Sequence, residues 1–123
     1  MMTMEQIRVL VADDHAMVRT GLATMLKLFD ELVLVGEAKN GQAAVDLCDE
    51  LAPDLVLMDM NMPALDGVAA TRTIREKHPL IKVLALTGYA QDSTIKQALQ
   101  AGVAGFLLKS VSLDELLAAI HGI

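Results

Sequence analysis

The chain has 123 residues, 54% of them apolar and 21% charged, with a formal net charge of −6, values that fit one globular domain with a single core. The acidic balance, the absence of any Lys/Arg run, and an aromatic content of one Tyr, two Phe and no Trp argue against nucleic acid or an anionic membrane as a direct partner. No apolar run approaches the roughly 18–20 residues of a membrane span, and the amino terminus MMTMEQIRVLVADD turns acidic where a signal peptide would stay apolar, so a cytoplasmic location is expected.

The β-branched, apolar run Ile7 to Ala12 predicts a strand that ends in Asp13-Asp14. Val18, Leu22, Met25, Leu26 and Phe29 then fall on one face of a helix over residues 15–29. Leu32 to Ala38 reads as a second strand, and Asn40-Gly41 opens a helix with the stripe Ala44, Leu47, Cys48 and Leu51, stopped by Pro53. The lone Cys48 belongs to that stripe and is read as a core residue.

In LVLMDMNMPALDG, residues 55–67, four apolar residues too few for a helix run into Asp59 and then into a loop closed by Met62-Pro63 and Asp66-Gly67. The pattern predicts a buried strand that delivers an acid at its own end. A helix from Val68 to Lys77 stops at His78-Pro79, and a strand from Ile81 to Leu86 delivers Thr87-Gly88. A helix near Ser93 to Ala101 is ended by Gly102, and a short strand, Ala104 to Leu108, delivers Lys109. Ser112 and Glu115 form a capping box ahead of Leu113, Leu116, Leu117 and Ile120.

Strand and helix thus alternate five times with connections of two to six residues, which calls for an α/β domain: a parallel sheet with helices on both faces. In such a sheet the carboxyl ends of the strands share one rim, where ligands bind. Asp13, Asp14, Asp59, Thr87 and Lys109 all arrive there. Taken singly each has a plain structural use, the acids as helix caps, Thr87 as a strand-end hydroxyl and Lys109 as a solvated charge. Converging carboxylates repel by several kcal/mol, on the order of 4 kcal/mol for two unit charges at 4 Å and an effective dielectric of about 20. Lys109 supplies one compensating charge and a hard divalent cation such as Mg²⁺ would supply two. A carboxylate nucleophile, a cation, a lysine and a hydroxyl are the equipment of phosphoryl transfer, and Gly88 beside Thr87 leaves room for the incoming group. His15, His78 and His121 have no second histidine at metal-ligand spacing and are read as surface or loop residues.

The acid pair Asp13-Asp14, LVLMDMNMPALDG, Leu86-Thr87 and GFLLK ending at Lys109 resemble the receiver domains of two-component response regulators over essentially residues 1–123. The resemblance implies a (βα)5 flavodoxin-like fold with strand order 2-1-3-4-5. It further implies that Asp59 is the phosphoacceptor, that Asp14, Asp59 and the backbone carbonyl of Asn61 bind Mg²⁺ with Asp13 assisting through water, and that Thr87 and Lys109 contact the phosphoryl group. Phe106 is then the switch aromatic, which turns as Thr87 moves and so alters the face made by the fourth helix, fifth strand and fifth helix. The implied partner is a sensor histidine kinase, with a phosphorylation-dependent homodimer formed through the switching face. DDHAMVRTGL is similar to the NarL/FixJ/LuxR-type subfamily, whose receivers precede a helix-turn-helix DNA-binding domain. The last helix begins its stripe at Leu113 and stops at His121-Gly122-Ile123, as if cut, so DNA contact is expected through a missing carboxyl-terminal domain; the alternative is a free-standing receiver. A metal-dependent hydrolase that forms an aspartyl-phosphate needs a second Asp two residues after the nucleophile, and that position is Asn61, so a non-enzymatic signalling module is the expectation.

Overall fold

In the computed structural model, which describes residues 6–62, 65–88 and 91–123 (of Asp92 the backbone only), strand and helix alternate along the whole described chain. The order is β1 (Ile7–Ala12), α1 (Ala16–Lys27), β2 (Leu32–Ala38), α2 (Gly41–Leu51), β3 (Leu55–Asp59), α3 (Gly67–Lys77), β4 (Lys82–Thr87), α4 (Asp92–Ala101), β5 (Gly105–Leu108) and α5 (Leu113–His121). The strands form one parallel sheet in the order β2-β1-β3-β4-β5, as the resemblance implied. The chain reverses its direction of travel across the sheet between β1 and β3, which opens a crevice at their carboxyl ends.

Alternation along the strands divides the core in two. Leu10, Ala12, Val56, Met58, Val83 and Ala85 face α2, α3 and α4 through Ala44, Val45, Cys48, Ala70, Ile74 and Ala98. Val9, Val11, Leu55, Leu57, Leu84 and Leu86 face α1 and α5 through Leu26, Leu116 and Ile120. All five residues of β3 are buried, because it lies at the centre of the sheet with a helical layer on each side. Cys48 is fully buried, and burial, seconded by the neighbouring Asp49 charge, pushes its thiol up to about 12.

The helix ends carry their own signals. Asn40 and Asp66 accept from the Ala43 and Ala69 N–H groups at 2.7 and 2.8 Å, capping α2 and α3. Ser112 accepts from the Glu115 N–H at 3.1 Å, but the Glu115 carboxylate turns back to the same hydroxyl, so the predicted box takes a one-sided form. Gly102 closes α4 in the left-handed region, at φ 104°. On the outer surface Asp49 of α2 meets Lys77 and His78 at the end of α3, each at 2.7 Å, and both bonds hold its carboxyl below the usual range.

Several boundaries, and one connection length, differ from expectation by one or two residues. Helix α1 ends at Lys27, although Phe29 still packs in the α1/α5 layer. Strand β4 begins at Lys82, because the Ile81 N–H goes to the His78 carbonyl (3.0 Å) while the Lys82 N–H goes to the Asp54 carbonyl (3.0 Å). The connection from β3 to α3, residues 60–66, is seven residues long, one more than the upper limit read from the sequence.

Candidate functional site

The rim is assembled by backbone bonds that extend each strand by one step. The Asp13 N–H bonds the Ala38 carbonyl (3.0 Å), the Met60 N–H the Leu86 carbonyl (3.0 Å), and the Lys109 N–H the Thr87 carbonyl (2.7 Å). Since β1 and β3 pair as far as Ala12 against Met58, the next residues, Asp13 and Asp59, come out side by side at the crevice. Both are buried, at 1% and 2% exposure, as is Thr87 at 1%. Asp14 is partly exposed beside them.

Lys109 sits between the two buried acids. Its Nζ donates to Asp59 Oδ2 at 3.1 Å and lies 2.7 Å from Asp13 Oδ2. The other Asp59 oxygen, Oδ1, accepts the Asn61 N–H at 3.0 Å. Burial raises the Asp59 pKa, and the Asn61 N–H opposes that, Asp13 adds to it, and Lys109 opposes it; the net direction is up. For Lys109, burial pulls down but the bonds to Asp13 and Asp59 outweigh it, so its pKa is raised and the ammonium stays charged.

Asp13 and Asp14 do not cap α1. The N-cap is His15, whose side chain makes no capping bond, and Asp13 Oδ1 instead accepts the His15 N–H at 2.8 Å in a tight local turn. Reading His15 as a surface residue captured its exposure and missed its neighbours: Nδ1 stands 3.1 Å from both Asp13 Oδ1 and Asp14 Oδ1. Arg19 was also missed. It donates to the Asp13 carbonyl at 2.8 Å and approaches Glu37 at 3.5 Å, tying α1 to the ends of β1 and β2. Its place one turn into the helix that follows an acid pair was the only signal. Phe106 lies half-buried on β5 opposite Ala85, against the α2–α4 core layer, and a Cβ at Gly88 would meet nothing within 4 Å among the described residues.

The donor set fits a hard divalent cation. One atom from each of Asp13, Asp14, His15 and Asp59 lies within 4.8 Å of the others. Three carboxylates gather at the rim, and among the described residues Lys109 is the one ammonium paired with any of them. Asp13 Oδ2, buried, lies 2.7 Å from that ammonium but off the line of a hydrogen bond.

Because the folded state raises the Asp59 pKa, the ionised carboxylate costs stability above that pKa, and the cost fades as pH falls through it. Asp59→Asn is therefore expected to stabilise the chain at neutral pH in chelator by on the order of 1 kcal/mol, or roughly 4 °C in melting temperature. Calorimetry at pH 7 checks this, and a lower melting point for the variant would refute it.

A family model described as "Response regulator receiver domain" matches residues 9–121. The chain is 46% identical over 115 residues to the response regulator GacA of Pseudomonas viridiflava, a match covering 94% of this chain and 54% of that protein. It is 42% identical to the transcriptional regulatory protein LnrK of Bacillus subtilis, covering 93% of this chain and 52% of that protein, so it spans about half the length of these curated relatives. Among solved structures, the signal receiver domain of the response regulator NarL from Mycobacterium tuberculosis superimposes with a TM-score of 0.90 at 37% identity, covering 96% of this chain and 95% of that one. A LuxR-family two-component response regulator from Aurantimonas matches with a TM-score of 0.90 at 31% identity, covering 96% of this chain and 84% of that one. With the expected sheet order and an acid-lined rim in place, these likenesses show that the chain belongs to the response regulator receiver domain family of two-component signalling.

Proposed function

We propose that Asp59 accepts a phosphoryl group from the phosphohistidine of a sensor histidine kinase, and that the modified domain then changes its protein contacts. The observation that carries this is the Asp59 carboxylate at the end of β3, buried, held through Oδ1 by the Asn61 N–H and through Oδ2 by the Lys109 ammonium. Those bonds fix the orientation of the nucleophile before a donor arrives. An Asp59 oxygen attacks phosphorus, a P–O bond forms, the donor P–N bond breaks, and the imidazole leaves with the bonding pair and takes up a proton. The Lys109 ammonium and the Thr87 hydroxyl then contact the phosphoryl oxygens.

Asp14, Asp59 and the Asn61 carbonyl would hold Mg²⁺, with Asp13 acting through water. When bound, the cation neutralises charge on the phosphoryl oxygens. Lacking a second Asp at position 61 to act as acid and base, the chain works as a signalling module rather than an enzyme. Movement of Thr87 and Phe106 biases the face of α4, β5 and α5, through which a second copy docks. In a longer protein this controls a helix-turn-helix output domain; a free-standing receiver is the alternative. No helix among the described residues is long and apolar enough to cross a membrane, which accords with the cytoplasmic setting of such a phosphorelay.

Intact-mass analysis after treatment with acetyl phosphate tests the assignment. Mass gain by one phosphoryl group is expected with Mg²⁺, at most a trace in chelator, and none for Asp59→Asn. Equal labelling of Asp59→Asn would falsify it.

A further inference from the structure

Resting on the cation site just described, we propose that His15 is a nitrogen ligand that lets the rim take first-row transition cations more tightly than its carboxylates alone would. The position of the ring is the first reason. His15 opens α1 without capping it, and its backbone N–H is already spent on Asp13 Oδ1, so the turn aims the side chain back at the acids. Nδ1 stands 3.1 Å from one oxygen of Asp13 and one of Asp14, and it belongs with Asp59 to a set of four donor atoms within 4.8 Å of one another. Adjacent ligands of an octahedral ion with bonds of about 2.1 Å are themselves about 3.0 Å apart, so the contact to Asp14 matches the edge of such a polyhedron.

Chemistry is the second reason. Mg²⁺ selects carboxylate, carbonyl and water oxygens, whereas imidazole suits Fe, Ni, Cu and Zn ions, whose affinities climb along the Irving–Williams order. Ligation through Nδ1 uses the neutral ring with its proton on Nε2. At 65% exposure the ring can exchange its carboxylate contacts for a cation without disturbing the core. The other histidines are poorer candidates: His78 faces Asp49 at 2.7 Å and His121 faces Glu31 at 3.4 Å, and neither belongs to a cluster of three or more such groups among the described residues.

The test is isothermal titration of the chain carrying His78→Gln and His121→Gln, so that His15 is its only imidazole, with Ni²⁺ and separately with Mg²⁺. His15→Gln in that background is expected to weaken Ni²⁺ by at least the roughly tenfold that loss of a supporting group costs a metal site. Mg²⁺ affinity should stay within about a factor of two, since its ligands are oxygens. Ni²⁺ affinity unchanged by His15→Gln, or Ni²⁺ and Mg²⁺ weakened equally, would overturn the proposal while leaving the Mg²⁺ site intact. If the parent binds Ni²⁺ through His15 but does not bind Mg²⁺, the Mg²⁺ reading fails and the His15 ligand stands. Binding of neither ion overturns both.

Discussion

Alanine at position 67 will lower the melting temperature by on the order of 10 °C, the equivalent of about 3 kcal/mol in a chain of this size. Helix propensity alone forecasts the reverse, since Ala is favoured over Gly in a helix by about 1 kcal/mol. Sterics decide, because a Cβ on Gly67 would fall 2.1 Å from the Asp59 carbonyl oxygen and 2.6 Å from the Met60 Cα. Both obstacles are backbone, so no rotamer change relieves them. The Gly67 N–H also bonds the Met60 carbonyl at 3.2 Å, which seats the start of α3 directly against the end of β3. To admit a methyl group the helix must back away from the strand that carries Asp59, so acetyl phosphate labelling should fall along with stability. Gly21→Ala is the control: it lies exposed within α1, a Cβ there meets nothing within 4 Å, and propensity should then raise stability by up to about 1 kcal/mol. Thermal melts of the three chains decide it; a Gly67→Ala chain as stable as its parent would mean that α3 and β3 do not approach this closely.

Lys109→Met will destabilise the metal-free chain by roughly 2–3 kcal/mol, somewhat below the 3–5 kcal/mol typical of breaking a fully buried ion pair because the ammonium keeps some solvent. Its side chain is 20% exposed, and its Nζ is the one ammonium placed within ion-pair distance of Asp13 and Asp59 among the described residues. Methionine keeps the stem and leaves both carboxylates buried without the charge. The raised Lys109 pKa means that its stabilisation is complete below the unfolded value of 10.5 and is lost as pH rises through the folded value. The variant should lack that alkaline loss. Mg²⁺ should stabilise the variant more than the parent, since it restores the missing positive charge. Removing one of the two buried acids in the double variant Asp59→Asn/Lys109→Met should recover part of the deficit, a non-additivity expected of groups in contact. Urea midpoints with chelator and with Mg²⁺ read all of these; equal midpoints for Lys109→Met and its parent in chelator would show that the ammonium does not hold the rim together.

The parts of the molecule legible in the sequence are those set by burial and by strand ends. Alternating and fully apolar runs located every strand, and the abrupt change from Ala12, Met58 and Leu86 to Asp13, Asp59 and Thr87 located the rim, because a buried strand can place a polar side chain only where it leaves the core. Boundaries were less legible, since the apolar pattern reports what is buried rather than which backbone bonds form. Ile81 is buried like a strand residue while its N–H closes a turn, and Phe29 lies on the face of α1 two residues beyond its end. His15 and Arg19 eluded the reading for a different reason. Their contacts arise from the turn after β1 and the angle at which α1 leaves it, neither of which has a periodic signature.

The burial of Cys48 has a practical reach beyond packing. Burial holds the thiol protonated at neutral pH, its pKa pushed up to about 12, and it is the thiolate that attacks maleimides and methanethiosulfonates. The native sequence is therefore a ready background for site-directed probes. A single cysteine placed on the surface of α4 or α5 can carry a spin label or a fluorophore without first replacing the buried Cys48.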